Sequence, residues 1–108
     1  MNKKYILRKN EEIQNVVNNS SKKVNNYYVI YNKVNNLNHN RYCISVSKKI
    51  GKANIRNLFK RRIKDILMKN NIVGSFDYVI ILRKAILDVS YNKMRDELIN
   101  LMEAKWKK

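Results

Sequence analysis

The sequence predicts a single-domain α+β sandwich over residues 1–108, with elements in the order helix, two or three strands, helix, strand, helix around a small sheet. Three observations carry that reading. Apolar residues recur at helical spacing near both ends and in the middle of the chain. Tyr27–Tyr31 and Arg41–Val46 alternate with the period of a strand, and Tyr78–Leu82 is a short, unbroken apolar run suited to a sheet centre. A hydrophobic fraction of 44% in 108 residues supplies one core, with no repeat, linker or low-complexity segment to divide it.

In order along the chain, Asn10 is placed to cap a first helix whose opening turn holds Glu11 and Glu12, where acidic groups suit the positive end of the backbone dipole. Ile13, Val16 and Val17 form its apolar face, and the polar run from Asn18 to Lys23 ends it. In the next strand Tyr28 and Ile30 share one face, while Tyr27, Val29 and Tyr31 share the other. Asn35 to Asn40 is expected to be a hairpin loop joining this strand to the one from Arg41 to Val46. There Tyr42, Ile44 and Val46 alternate with Cys43, Ser45 and Ser47, a small-residue face either open to a ligand or turned to solvent. After the central helix, Asn70-Asn71 and Gly74-Ser75 mark a turn before Tyr78–Leu82. Ser90 then caps a last helix to about Ala104, with Tyr91, Met94, Leu98, Leu101 and Met102 as a core stripe and Trp106 in a basic tail.

The stretch from Ile44 to Lys64, ISVSKKIGKANIRNLFKRRIK, organises the rest. It passes from strand through a basic loop with Gly51 into a helix. Ile55, Leu58, Phe59, Ile63, Ile66 and Leu67 fall on one broad arc of that helix, and Arg56, Lys60 and Lys64 form a stripe along one border. Arg61 lies towards the other border, with Asn57 between. From Lys48 to Lys64 there are eight Lys or Arg residues and no Asp or Glu, so the opposite-charge pairs that usually support an exposed helix face are absent. Such unrelieved repulsion points to a polyanion rather than to water.

Net charge of +16 is consistent with a nucleic acid or with an anionic membrane surface. The membrane reading is the weaker, because the apolar arc of the central helix is needed to cover the sheet. No apolar run is long enough to span a bilayer and MNKKYILRKN lacks a signal-peptide core, so a cytoplasmic location is expected. The lone Cys43 excludes an internal disulfide and CxxC metal patterns; we expect a small buried hydrophobe and no disulfide-linked partner. With His39 the sole histidine and the eight acids forming no convincing metal constellation, no catalytic or metal-binding residue is assigned, which argues against a self-sufficient nuclease.

The run from Ser45 to Arg61, with Lys48-Lys49-Ile50-Gly51-Lys52-Ala53 followed by Arg56-Asn57 and then Lys60-Arg61, resembles the signature of the bacterial ribonuclease P protein component. Leu7-Arg8-Lys9-Asn10, Tyr28–Tyr31 and Asp77–Ile81 leading to Arg83 follow in register, so the resemblance covers nearly the whole chain. It implies binding to ribonuclease P RNA and to the 5′ leader of precursor tRNA, with Mg²⁺-dependent hydrolysis performed by the RNA subunit and no cofactor held by the protein. It also implies a left-handed βαβ crossover. Carried over by position, Lys48, Lys49, Lys52, Arg56, Asn57, Lys60, Arg61 and Lys64 become RNA-binding residues. Ile13, Val17 and Tyr31 fall in the leader cleft, with Ser45, Ser47 and Arg83 beside them.

Two departures stand out. The family's second arginine is replaced by Leu58, while Arg62 stands one turn later where the family has an apolar residue, which suggests an exchange that adds Arg62 to the RNA-binding set. Positions commonly aromatic in the leader cleft are Ile13 and Val17, which forgo base stacking.

Overall fold

Four extended segments build one sheet in the computed structural model, which describes residues 1–104: β1 (Ser21–Val24), β2 (Tyr28–Val34), β3 (Arg41–Ser45) and β4 (Phe76–Leu82), in the order β1-β2-β4-β3. Helices α1 (Asn10–Asn19), α2 (Ala53–Lys69) and α3 (Tyr91–Glu103) complete the α+β fold. Trp106 lies outside the described residues.

The apolar run expected at the sheet centre is there. β4 pairs antiparallel with β2, from Tyr28↔Leu82 to Val34↔Phe76, and parallel with β3, from Arg41↔Asp77 to Ser45↔Ile81. Its insertion overturns the expected hairpin between β2 and β3, which are not neighbours. A strand apolar on both faces is best covered at the centre, and the 35–40 loop must therefore pass over its end. β3, α2 and β4 then form a βαβ unit. The true hairpin joins β1 to β2, where the side-chain oxygen of Asn25 accepts from the Tyr27 and Tyr28 amides. Ser21 to Lys23, expected only to stop a helix, belong to β1, an edge strand whose lysines suit an unpaired border.

Helix ends differ at one terminus. Lys9 is the N-cap residue of α1, without a side-chain bond, and Asn10 is already helical. Ser90 caps α3 as expected, its hydroxyl accepting from the Lys93 amide at 3.1 Å.

The sheet separates two apolar layers. On one face α2 and α3 cover a large cluster that includes Tyr28, Ile30, Ile63, Ile80 and Leu98, all fully buried. Tyr42 and Tyr78 stack there at 5.6 Å between centroids, and burial pushes the Tyr78 phenol up to about 12. On the other face α1 covers a smaller cluster of Leu7, Val16 and Val79, with Ile13, Val17, Tyr31, Cys43 and Ile81 packed round it. Cys43 is thus half-buried among apolar groups, and burial pushes its thiol up, with Lys60 opposing.

One polar joint locks α1 to the sheet. The Arg41 guanidinium donates to both oxygens of Asp77, at 2.8 and 2.7 Å, and to Glu12 of α1 at 2.8 Å; Asn35 adds a third bond to Asp77. Hydrogen bonding to Asp77, opposed by burial and reinforced by Glu12, raises the guanidinium above its already high ordinary value. The Asp77 side chain is 10% exposed and that of Glu12 37%, so the two acids should not contribute equally. Arg41→Met should lower unfolding free energy by roughly 2 to 3 kcal/mol, less than for a fully buried pair because the arginine partly meets water. Glu12→Gln should cost under about 1 kcal/mol in the same urea titration.

Candidate nucleic-acid interface

The cationic stretch is positioned from both ends. After β3, Val46 and Ile50 are buried and anchor the loop, whose Ile50 amide donates to Ser47 at 3.1 Å. Gly51, at φ +159°, passes so close to α2 that a Cβ there would lie 3.1 Å from the Ile55 side chain. Between these anchors Lys48, Lys49 and Lys52 are left exposed. They stand at the start of α2, which has no acidic residue in its first turn and no side-chain cap, so the helix's own positive end adds to theirs.

Farther along α2, Asn57, Lys60, Arg61 and Lys64 border one shallow depression. Lys60 and Lys64 also border a cleft between the helix and the outer edge of β3, where Ile6 bridges to Tyr42, lined by Ile6, Tyr42, Cys43 and Ile44. Among the described residues, none of the cations from Lys48 to Lys64 forms an ion pair; the helix's one pair is Asp65 with Lys69. The predicted arc is shifted at its edge. Phe59, Ile63, Ile66 and Leu67 are buried, whereas Leu58 is half-buried and outside the core cluster. Arg56 falls within the inward arc instead, and its Nε is buried without a hydrogen-bond partner among the described residues. Arg62 places its guanidinium 5.4 Å from the centroid of the Phe59 ring, and does not border the depression formed by Asn57, Lys60, Arg61 and Lys64.

The second surface is the α1 face of the sheet. Glu12, in the first turn of α1, reaches Arg41 on the β3 edge, and the last turn leads into β1 on the opposite edge, so the helix crosses the strands. It covers the row Lys22–Tyr31–Val79–Cys43, in which Val79 is 3% exposed. The next row, Val24–Val29–Ile81–Ser45, is much more open: Val24 is 48% exposed, Ser45 is exposed, and Val29 and Ile81 are half-buried.

This arrangement collects the candidate cleft residues. Ile13 and Val17 of α1 share a cluster with Tyr31, and Ser45 lies in the open row. Ser47 follows β3 and is exposed; Arg83 follows β4, with its guanidinium donating to the Asn25 carbonyl at 2.8 Å. Sequence reasoning passed over Val24, Val29 and Ile81 as members of this surface. The shared face of Tyr27, Val29 and Tyr31 was the available signal, but only the pairing partners align Val29 with Ile81 and Ser45.

Among the described residues no group of three or more His, Cys, Asp or Glu side chains is placed to hold a metal ion, and no helix is long and apolar enough to cross a membrane. His39 sits with both ring nitrogens within hydrogen-bond reach of backbone carbonyls, those of Leu37 at 3.0 Å and Lys4 at 3.1 Å.

Comparison with known proteins gives one answer. A family profile for Ribonuclease P matches residues 1–105. The ribonuclease P protein component of Mycoplasma mycoides is 38% identical over 106 residues, covering 95% of this chain and 97% of that one. The solved RNase P protein from Thermotoga maritima superposes with a TM-score of 0.84 at 29% identity, covering 93% of this chain and 97% of that one. The Staphylococcus aureus RNase P protein gives the same TM-score at 28% identity, over 92% and 93% of the two chains.

The unrelieved charge on α2 has a stability consequence. Lys60→Gln should raise the melting temperature at low salt, by a few tenths of a kcal/mol in free energy, and the gain should vanish at high salt where repulsion is screened. Thermal melts at two ionic strengths check this; a gain that persists in high salt would assign it to packing instead.

Proposed function

The chain belongs to the ribonuclease P protein family, and on that premise we propose that its cationic α2 surface binds the catalytic RNA while the open sheet row beside α1 takes the 5′ leader of precursor tRNA. Family membership makes it the protein part of an RNA-based endoribonuclease, with ribonuclease P RNA as its partner. In this reading the RNA subunit carries out hydrolysis with Mg²⁺, and the protein, acting in the cytoplasm, contributes cations and positioning and binds no cofactor itself. What supports it above all is the run of eight Lys or Arg from Lys48 to Lys64 with no carboxylate among them. Phosphates relieve that repulsion, and Arg56, half-buried with its Nε unpartnered, gains an acceptor once its side chain swings out to one.

The leader reading is supported by the size and chemistry of the uncovered row. An extended single strand can lie across Val29 and Ile81, with the half-buried Tyr31 at the border of the α1-covered row and Ser45, Ser47 and Arg83 for phosphate or base edges. Ile13 and Val17 contribute apolar contact only, so each aromatic they replace forgoes about 1 to 3 kcal/mol of stacking.

Two expected outcomes test the division of labour. Purified protein alone should cleave no precursor tRNA, yet should raise cleavage by a cognate ribonuclease P RNA at low Mg²⁺; robust cleavage without RNA would overturn the assignment of chemistry to the RNA. If about five cations meet phosphate, log K for the RNA should fall with log salt with a slope near about −4, shallower in Arg56→Ala and Lys60→Ala. A flat salt dependence would remove the basic surface from the interface.

Leu58 and Arg62 allow a separate test. Leu58 is half-buried and outside the core, while the guanidinium of Arg62 lies over the Phe59 ring, from which an anion would have to draw it. If the cation has moved one turn along α2, Arg62→Leu weakens RNA binding and adding Leu58→Arg restores it. Unchanged binding by folded Arg62→Leu would confine Arg62 to its contact with Phe59.

A further inference from the structure

Beyond the end of the cationic stripe lies a separate open cavity of about 250 Å³, lined by the N-terminal segment, the β2–β3 loop and the chain leaving α2. We propose that it receives one unpaired base of the RNA bound along α2, stacked on Tyr5 and contacted along its edge by Asn38 and Asn71. The proposal rests on the RNA-binding reading of α2 and extends it to a base-specific contact.

The lining has the chemistry such a base needs. Tyr5 stands edge-on to His39, with centroids 5.6 Å apart and planes at 84°, and the Lys4 ammonium lies 4.9 Å from the Tyr5 centroid, where it can meet a phosphate. Leu67, Met68 and Ile72 supply apolar wall, and no carboxylate is present to repel a nucleotide. Asn38 and Asn71 are exposed, hold left-handed backbone at φ 63° and 44°, and have side-chain amides that no described residue takes up. An amide offers both donor and acceptor to a base edge.

The floor is already fixed. Asn40 is buried and donates to the Ile72 carbonyl at 3.0 Å and to the Tyr42 hydroxyl at 3.2 Å, while its oxygen accepts from the Phe76 amide. Tyr42 is stacked on Tyr78. His39, with both nitrogens facing carbonyls, ties the Tyr5 segment to the loop and acts as a positioning residue. A site whose supporting groups are satisfied among themselves leaves its free amides to an incoming ligand.

Location and size select the ligand. Tyr42 and the N-terminal segment also line the neighbouring cleft bordered by Lys60 and Lys64, so the two concavities adjoin. Met68 follows Lys64 by one helical turn, about 6 Å along the axis, and an RNA strand tracking the stripe arrives at the cavity mouth. The volume falls below the roughly 300 to 1,000 Å³ of sites that enclose drug-sized molecules, which suits a single base.

The test uses the full chain and its cognate ribonuclease P RNA, with chemical probing of unpaired nucleotides and affinity measured across a salt series. Tyr5→Ala should weaken binding on the order of tenfold and expose one nucleotide that the wild type protects, without changing the salt slope, since no cation is lost. Tyr5→Phe should retain both affinity and protection. Asn38→Gly with Asn71→Gly keeps the left-handed backbone and removes only the amides, so it carries the test if Tyr5→Ala fails to fold; it should lose the same protection. Wild-type affinity and footprint in these folded variants would overturn the cavity proposal while a steep slope left the α2 reading intact. A wild type with flat salt dependence would overturn both.

Discussion

The placement of β4 governs this structure. Its apolar residues must be covered on two faces and along two edges, and one strand cannot do that for itself. Putting it between β2 and β3 satisfies the edges and obliges α2 to serve as the connection between two parallel neighbours. From that single arrangement follow the two surfaces of interest. α2 must turn its apolar side to the sheet, which leaves its cations other than Arg56 outward, and α1 is the one helix on the opposite face.

A short helix cannot cover a four-stranded sheet by itself. α1 has ten residues, about 15 Å of axis, and it lies across the strands because Glu12 is held by Arg41 at one edge while the chain returns as β1 at the other. The row around Val79 is closed and the row around Ile81 stays open. Apolar surface left uncovered in this way is the open face proposed for the leader, and the Arg41–Asp77–Glu12 joint holds α1 in the position that leaves it open.

Electrostatics act in the opposite sense to stability. Neighbouring like charges on α2 repel, and the core beneath Phe59, Ile63 and Ile66 must outweigh that cost. Arg56 sharpens the conflict, being turned towards the core with one nitrogen unpartnered. In the proposed complex a polyanion would remove that repulsion. The cavity proposed for a base past Lys64 would add recognition that charge alone does not give.

By itself the sequence determined the element types, the central position of Tyr78–Leu82, the Ser90 cap, the outward cations of α2 and, through the run from Ser45 to Arg61, the family. These depend on local periodicity and residue chemistry, which are written along the chain. Tertiary structure decided what depends on partners far apart in it: that Arg41–Ser45 pairs with β4 rather than β2, that Ser21–Val24 is a strand, that Glu12 serves Arg41, and that Arg56 rather than Leu58 turns inward. The open row and the Tyr5 cavity belong with these, since each joins segments distant in the chain whose register no local pattern encodes. Edge strand β1 carries almost no apolar signal because most of its surface faces water, and a pairing is then specified only by the neighbour that accepts it.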